Sequence, residues 1–462
     1  MKKKLSISVL ALSSLMLLGT LSSCGGGART ADFDVPEAFT TDAITIEFWS
    51  QQGDKLQEIT AGAISRLQAK YPNITVEHKT KSNYDLLRDD IATNIPVGGN
   101  PDIAYCYPDH VALYNDANVV VPLDDLLNDN QFGYTKDEQD DFVKPFFDEG
   151  RTFGDGKLYT MPFVKSTEVL FYNKTFFAAN NLTMPENPTW EQIWDLAVQI
   201  KAIDDKCYPL GYDSESNWFI TMANQLGHGY TSVDEDGVGS FDFDNPGMRA
   251  FVTDLKDKYT QGLFTTEELY GSYTSNLFCA DTVTKPEAKT CYMCIGSTGG
   301  STYQAPAADS KRQFEVGVVA YPQATNRVKD AVIQQGPSLV LFKNEDPQKV
   351  LASWLFMKEL LTTETMVAVA KNNGYIPCTD SAIGDSTTTA WLNTAAGYRA
   401  NMPAYGAKIA IQQRDRYFVS PAFLGSSTAR DQVGMLLINV MNGIKVDDAF
   451  KAAIKECNRS LA

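Results

Sequence analysis

The chain has 462 residues and a formal net charge of −17, from 57 acidic against 40 basic side chains. Such a balance argues against nucleic acid and anionic lipid surfaces as partners, because both repel an acidic surface. His78, His110 and His228 are widely scattered and Cys291-Tyr-Met-Cys294 has no second C-x-x-C, so neither a metal site nor a cofactor is expected.

Lys2, Lys3 and Lys4 precede an apolar run from Leu5 to Leu21, then Ser22-Ser23-Cys24-Gly25. A charged start, a short apolar stretch and small residues before a cleavage point describe a secretory signal over residues 1–23. Ser6, Ser8, Ser13 and Ser14 weaken the run as a membrane span, which needs ~20 apolar residues. Loss of the three lysines takes the formal charge from −17 to −20. Residues 24–42 are rich in glycine, proline and polar side chains, and read as a flexible tether. About 420 residues follow, enough for two lobes with their own cores. No later segment reaches transmembrane length without charges, so the body is expected to be soluble and monomeric.

Apolar runs then alternate with helical periods, the pattern of an α/β fold. Ala43 to Trp49 alternates apolar and polar residues as a first strand, and Leu56, Ile59, Ala63 and Leu67 fall at helical spacing. Ile74 to His78 is a second strand, Tyr84 to Ile95 a helix, and Asp102 to Tyr107 a third strand after Gly98-Gly-Asn-Pro101. This order predicts parallel pairing through right-handed crossovers. Strands are further predicted over 158–163, 168–172, 291–295, 314–320 and 338–342. Helices are predicted after the capping residue Thr189, over 213–228, from Met248 to Gln261, and from Pro347 to Leu361. After Cys24, seven cysteines are too sparse for a disulfide framework; buried thiols are expected, with a Cys279–Cys291 bridge left open.

Cys24 after Leu21-Ser-Ser resembles the lipobox of bacterial lipoproteins, which implies a diacylated mature N-terminus and an anchor on the extracytoplasmic face of the cell membrane. Several ordered motifs resemble the extracellular solute-binding proteins of sugar-type ABC importers. These are Ile44 to Trp49, Tyr71-Pro-Asn-Ile-Thr-Val76, Gly98 to Ala104, and Ala117 to Asp124, where Ala117 replaces the family's usual glycine. Met161-Pro-Phe163, Ser166 to Lys174, Pro188-Thr-Trp-Glu191 and Gly374-Tyr-Ile-Pro377 continue the series. The resemblance implies a periplasmic-binding-protein-like fold of type II, with two α/β lobes and a ligand cleft between them. Crossings are expected near Pro162 to Ser166, Ile295 to Thr298 and Gln334 to Ser338. Lobe one would then hold residues 43–163 with 297–335, and lobe two 164–296 with 336–462. The implied partners are a carbohydrate ligand and the permease subunits of the transporter.

A sugar site needs aromatic faces together with carboxylates, amides or backbone groups for the hydroxyls. Trp49, Tyr84 with Asp85, and Tyr107 with Asp109 stand at strand ends; their alternatives are a core ring, a solvated helix start and a helix cap. Ser166 and Glu168 lie in the first crossing motif, and Trp218 is either a stacking platform or a core ring. Ser297, Gly299, Gly300 and Gly336 are turn residues that let backbone approach a ligand. Tyr375 is a further candidate. Arg416 is either a bidentate ligand donor or the partner of Asp415. A glycerol-phosphate ester is the alternative ligand class. A lipid-anchored glycoside hydrolase would need paired carboxyls, for which Glu168, Asp85 and Asp109 are the candidates. A surface adhesin would instead show a flat or filled face between the lobes.

Overall fold

The structure, a computed structural model, describes residues 31–461. The signal segment and Cys24 lie outside the described residues. In chain order the strands are β1 (Ile44–Ser50), β2 (Ile74–Thr80), β3 (Ile103–Cys106), β4 (Thr160–Pro162) and β5 (Ser166–Asn173). Then come β6 (Leu210–Tyr212), a hairpin of β7 (Thr231–Val233) and β8 (Gly239–Phe241), β9 (Phe264–Thr266) and β10 (Met293–Ser297). β11 (Val316–Val319), β12 (Val332–Gln335), β13 (Ser338–Leu341) and β14 (Tyr417–Phe418) complete the set.

The first sheet has the order β2-β1-β3-β13-β4. β1 pairs parallel with both β2 and β3, as the alternating strand and helix pattern predicts. Ile44, Ile46 and Phe48 enter the core because side chains alternate along a strand. The Asp54–Lys70 helix buries Leu56, Thr60, Ala63 and Leu67 and packs beneath the Pro347–Leu360 helix. That second helix buries Trp354, whose Nε1 donates to the Phe132 carbonyl at 2.9 Å.

The second sheet has the order β14-β12-β5-β10-β6-β9, with β11 also on β5. β5 is its centre and is almost wholly buried. β10 runs antiparallel along one edge of it, and β11 and β12 along the other. This pairing corrects the expected lobe boundaries. Residues 316–335 belong with β5 in lobe two, whereas β13 pairs with β3 and β4 in lobe one.

The crossing expected near Ile295 to Thr298 does not occur. β10 stays paired to its end, with Ser297 opposite Glu168, and the Gly299 N–H then donates to Ser297 Oγ at 3.2 Å. The helical turn Thr298–Gln304 that follows packs on β5 and on the Met402–Gln412 helix of the same lobe. The chain instead crosses at 163–165, at Gly336–Pro337, and after the Thr363–Asn373 helix. Lys165 touches all three crossings. Its carbonyl accepts from Ile376 N at 2.7 Å, its ammonium donates to the Gly336 carbonyl at 2.9 Å, and the neighbouring Val164 N donates to Pro337 O at 3.2 Å.

The predicted tether is docked from Asp32 onward. Asp125 accepts from the backbone of Asp32 and Phe33 at 2.7 and 2.9 Å, and Phe33, Val35 and Phe39 pack on the core. Apolar side chains at those positions made burial favourable where composition alone suggested a spacer. Cys106, Cys207, Cys279, Cys291, Cys294, Cys378 and Cys457 are free thiols, and six of them are buried. Among the described residues no helix is long and apolar enough to cross a membrane.

Candidate functional site

A cavity of about 460 Å³ opens between the two lobes. Lobe one supplies the starts of two helices. Asn83 caps the Tyr84–Asn94 helix by accepting from Leu86 N at 2.8 Å, which places Tyr84, Asp85 and Arg88 at the cleft. The Pro108–Asp116 helix begins with proline, a residue suited to a first turn, and sets Tyr107, Asp109 and His110 beside them. The Tyr84 and Tyr107 rings meet edge to face at 5.3 Å.

Lobe two faces them with Ser166 from β5 and Ser297 from β10, whose hydroxyls lie 3.1 Å apart. Gly374 has φ +90°, and an added Cβ would stand 2.7 Å from the Thr298 carbonyl; only glycine lets the chain turn there and deliver Tyr375 to the cleft. Tyr230 and the first turns of the Ser426–Met441 helix, with Ser427, Arg430 and Asp431, close the far side. That helix also touches the Pro108–Asp116 helix of lobe one. The second crossing forms the floor, where Gln334 leaves its buried Oε1 without a hydrogen-bond partner.

Burial raises the phenol pKa values of Tyr84, Tyr107, Tyr230 and Tyr375, so all four present neutral hydroxyls. Burial also lowers the pKa of His110, which favours the neutral ring. Arg88 is already held by Asp85 at 3.2 Å and Asp89 at 2.8 Å. Arg430 makes no ion pair among the described residues; its guanidinium donates to Asn217 Oδ1. Four carboxylates line the cleft, Asp85, Asp109, Glu149 and Asp431, against two guanidiniums.

Of the residues singled out from sequence, Tyr84, Asp85, Tyr107, Asp109, Ser166, Ser297, Gly299, Gly336 and Tyr375 all meet at this cavity. Five do not. Trp49 is 6% exposed, with Nε1 on Glu47 and Lys81 above its ring at 4.7 Å. Trp218 is a core ring stacked on Tyr212 at 4.6 Å and on Trp190 at 5.2 Å. Glu168 is buried behind the cleft, where Tyr212 and Asn217 satisfy its carboxylate. Gly300 lies one residue past the lining, on the helical turn after Gly299. Arg416 pairs with Asp330 at 3.3 Å and donates to Asn187, not to Asp415.

Sequence reasoning missed Arg88, His110, Glu149, Tyr230, Gln334, Arg430 and Asp431. One signal was present for Arg430: it follows Ala429 on a helix that buries Ala429, Val433, Leu436 and Leu437, so it borders the buried stripe.

A family profile described as bacterial extracellular solute-binding protein matches residues 62–396. A curated relative, the sn-glycerol-3-phosphate-binding periplasmic protein UgpB of Escherichia coli O6:K15:H31, is 25% identical over 378 residues, covering 80% of each chain. Among solved structures, an ABC substrate-binding protein from Listeria monocytogenes in complex with cycloalternan superposes with a TM-score of 0.71 at 16% identity, covering 91% of this chain and 99% of that one. UgpB from Mycobacterium tuberculosis in complex with glycerophosphocholine gives 0.68 at 16% identity, covering 91% and 98%. These likenesses carry the type II binding-protein fold.

Proposed function

Because this chain belongs to the bacterial extracellular solute-binding proteins, we propose that its cleft captures a carbohydrate for an ABC importer and hands it to the permease subunits. The family takes up sugars or glycerophosphate-type ligands outside the cytoplasm. The observation that carries the carbohydrate reading is the cleft's composition: four neutral tyrosines with four carboxylates and an unpartnered Gln334 oxygen. Aromatic faces cover the apolar C–H side of a sugar, and carboxylates accept from its hydroxyls. Four carboxylates against two guanidiniums and the Lys165 ammonium paired with Glu149 leave the cleft net acidic, which disfavours a phosphate monoester dianion.

Arg430 favours a second reading. A guanidinium without an ion pair suits a phosphodiester, whose single charge is easier to place in an acidic cleft, and the similarity to UgpB points the same way. Thermal-shift and calorimetric titration with neutral mono- and oligosaccharides, glycerol 3-phosphate and glycerophosphodiesters separates the two. Stabilisation by a neutral sugar supports the first reading, and stabilisation by phosphate esters alone overturns it.

Capture would draw the lobes together about the crossings at 163–165 and Gly336–Pro337. The protein works as a monomer without turnover, tethered through acylated Cys24 near its permease, where the tether raises effective concentration. Product formed from a sugar by the purified protein would overturn the transport role.

A further inference from the structure

We propose that Glu168 and Asn217, neither of which lines the cleft, are positioning residues that hold the Arg430 guanidinium at the ligand and make capture depend on pH. The inference rests on the reading of the cleft as the ligand site.

The three side chains come from three elements and form one line. Glu168 is on β5, Asn217 in the Glu215–Leu226 helix, and Arg430 in the Ser426–Met441 helix. Asn217 Nδ2 donates to Glu168 Oε1 at 2.9 Å, which fixes the amide so that its Oδ1 faces Arg430. Asn217 is fully buried, so its oxygen has no water to fall back on. The other Glu168 oxygen accepts from the Tyr212 hydroxyl at 2.6 Å, and that hydroxyl lies 2.9 Å from Tyr321. Gln413 Nε2 holds the Glu168 carbonyl at 2.8 Å, so the backbone beneath the carboxylate is also pinned. Arg430 is thus the cleft cation supported from the core, whereas Arg88 is supported by the exposed Asp85 and Asp89.

Arg430 is the cation that acts on the carboxylate; Asp213, at the end of β6, and the phenols of Tyr212 and Tyr321 are its other titratable neighbours. Asp213 itself accepts from Thr274 N and Oγ1 at 2.7 and 2.6 Å. On the cleft side, His110, Asp109, Asp431, Tyr107 and Tyr230 share the field of Arg430. Burial pushes the Glu168 carboxyl up to about 7, against the lowering effect of Tyr212, Asn217 and Arg430. The carboxylate that attracts Arg430 through Asn217 therefore exists above neutral pH and is replaced by the neutral acid below it. Loss of that charge weakens the hold of Asn217 on the guanidinium.

The test follows the Arg430 Nε–H resonance by NMR in ligand-free protein from about pH 5.5 to about pH 8.5, assigned with Arg430→Lys. A shift with its midpoint near the Glu168 transition is expected in the wild type. It should vanish in Glu168→Gln, which keeps size and one oxygen to accept from Asn217 but carries no charge. Asn217→Ala should broaden the resonance at every pH. A titration step that survives in Glu168→Gln, or an unchanged resonance in Asn217→Ala, overturns the proposal. Binding is then read with maltotriose and glycerophosphocholine as probes. Whichever binds should do so about five-fold more weakly at the acid end, the worth of one ordered hydrogen bond, and equally at both ends in Glu168→Gln. Binding of neither probe counts against the ligand reading of the cleft, while the NMR titration still decides the positioning role.

Discussion

Lys165 and Glu149 form an ion pair buried on both sides, with side chains 0% and 3% exposed. The pair joins the first crossing to lobe one. Ser338 Oγ, at the far end of the second crossing, donates to the same Glu149 oxygen at 2.9 Å. Glu149 also borders the cleft, so the charge that holds the crossings together stands next to the ligand space.

Removing one partner of this pair strands the other charge in the core. Glu149→Ala or Lys165→Met alone should cost about 3–5 kcal/mol in denaturant unfolding. Replacing both with apolar residues of similar volume should cost much less. A double variant as unstable as the singles would show that the cost comes from packing instead.

Gly336 has φ +90°, and an added Cβ would overlap the Val164 carbonyl across the crossing. Gly336→Ala should therefore destabilise the fold by about 1–3 kcal/mol and change the equilibrium between open and closed lobes. Small-angle scattering with and without ligand would detect the second effect, and a wild-type profile would refute it.

Glu168 gives a pH signature in stability as well. Its carboxyl rises from 4.5 to about 7 on folding, so the native state keeps a proton that the unfolded chain releases. Its stabilising contribution is complete below about 4.5 and is lost as pH rises through about 7. Glu168→Gln should gain on the order of 3 kcal/mol relative to wild type between those limits. Parallel unfolding curves at acid and alkaline pH measure the difference, and a flat difference would contradict it.

Core and cleft aromatics should separate cleanly. Trp218→Ala, within the Tyr212–Trp218–Trp190 stack, should cost about 3–5 kcal/mol of stability. Tyr375→Ala, at the cleft, should weaken ligand binding far more than it lowers the melting temperature. Equal effects from the two substitutions would place Trp218 at the ligand after all.

Cys24→Ala should release the protein into the medium with ligand affinity unchanged, as read by fractionation and calorimetry. A matching loss of binding would mean that the N-terminal segment takes part in the site.

Much of the cleft was legible because helix starts and strand ends are marked locally. Tyr84 follows the Asn83 cap, Tyr107 precedes the first-turn Pro108, and Ser166, Ser297 and Tyr375 lie in compact motifs. Arg430, Tyr230 and Glu149 carry no such mark; each reaches the cleft through packing between elements distant in sequence. Trp49 and Trp218 misled for the complementary reason, since an aromatic at a strand end or helix start looks the same whether its face meets a ligand, a lysine or another ring.

By itself the sequence determined the α/β alternation and the parallel β1 and β3 pairing with its crossovers, because periodicity, caps and apolar runs act over short range. Tertiary structure alone decided that 316–335 join β5, that the chain crosses after Asn373 and not at Ile295, and that Glu168 stands behind the cleft. Strand partners and buried charge pairs depend on which distant surfaces fit, and that is settled only when the whole core packs.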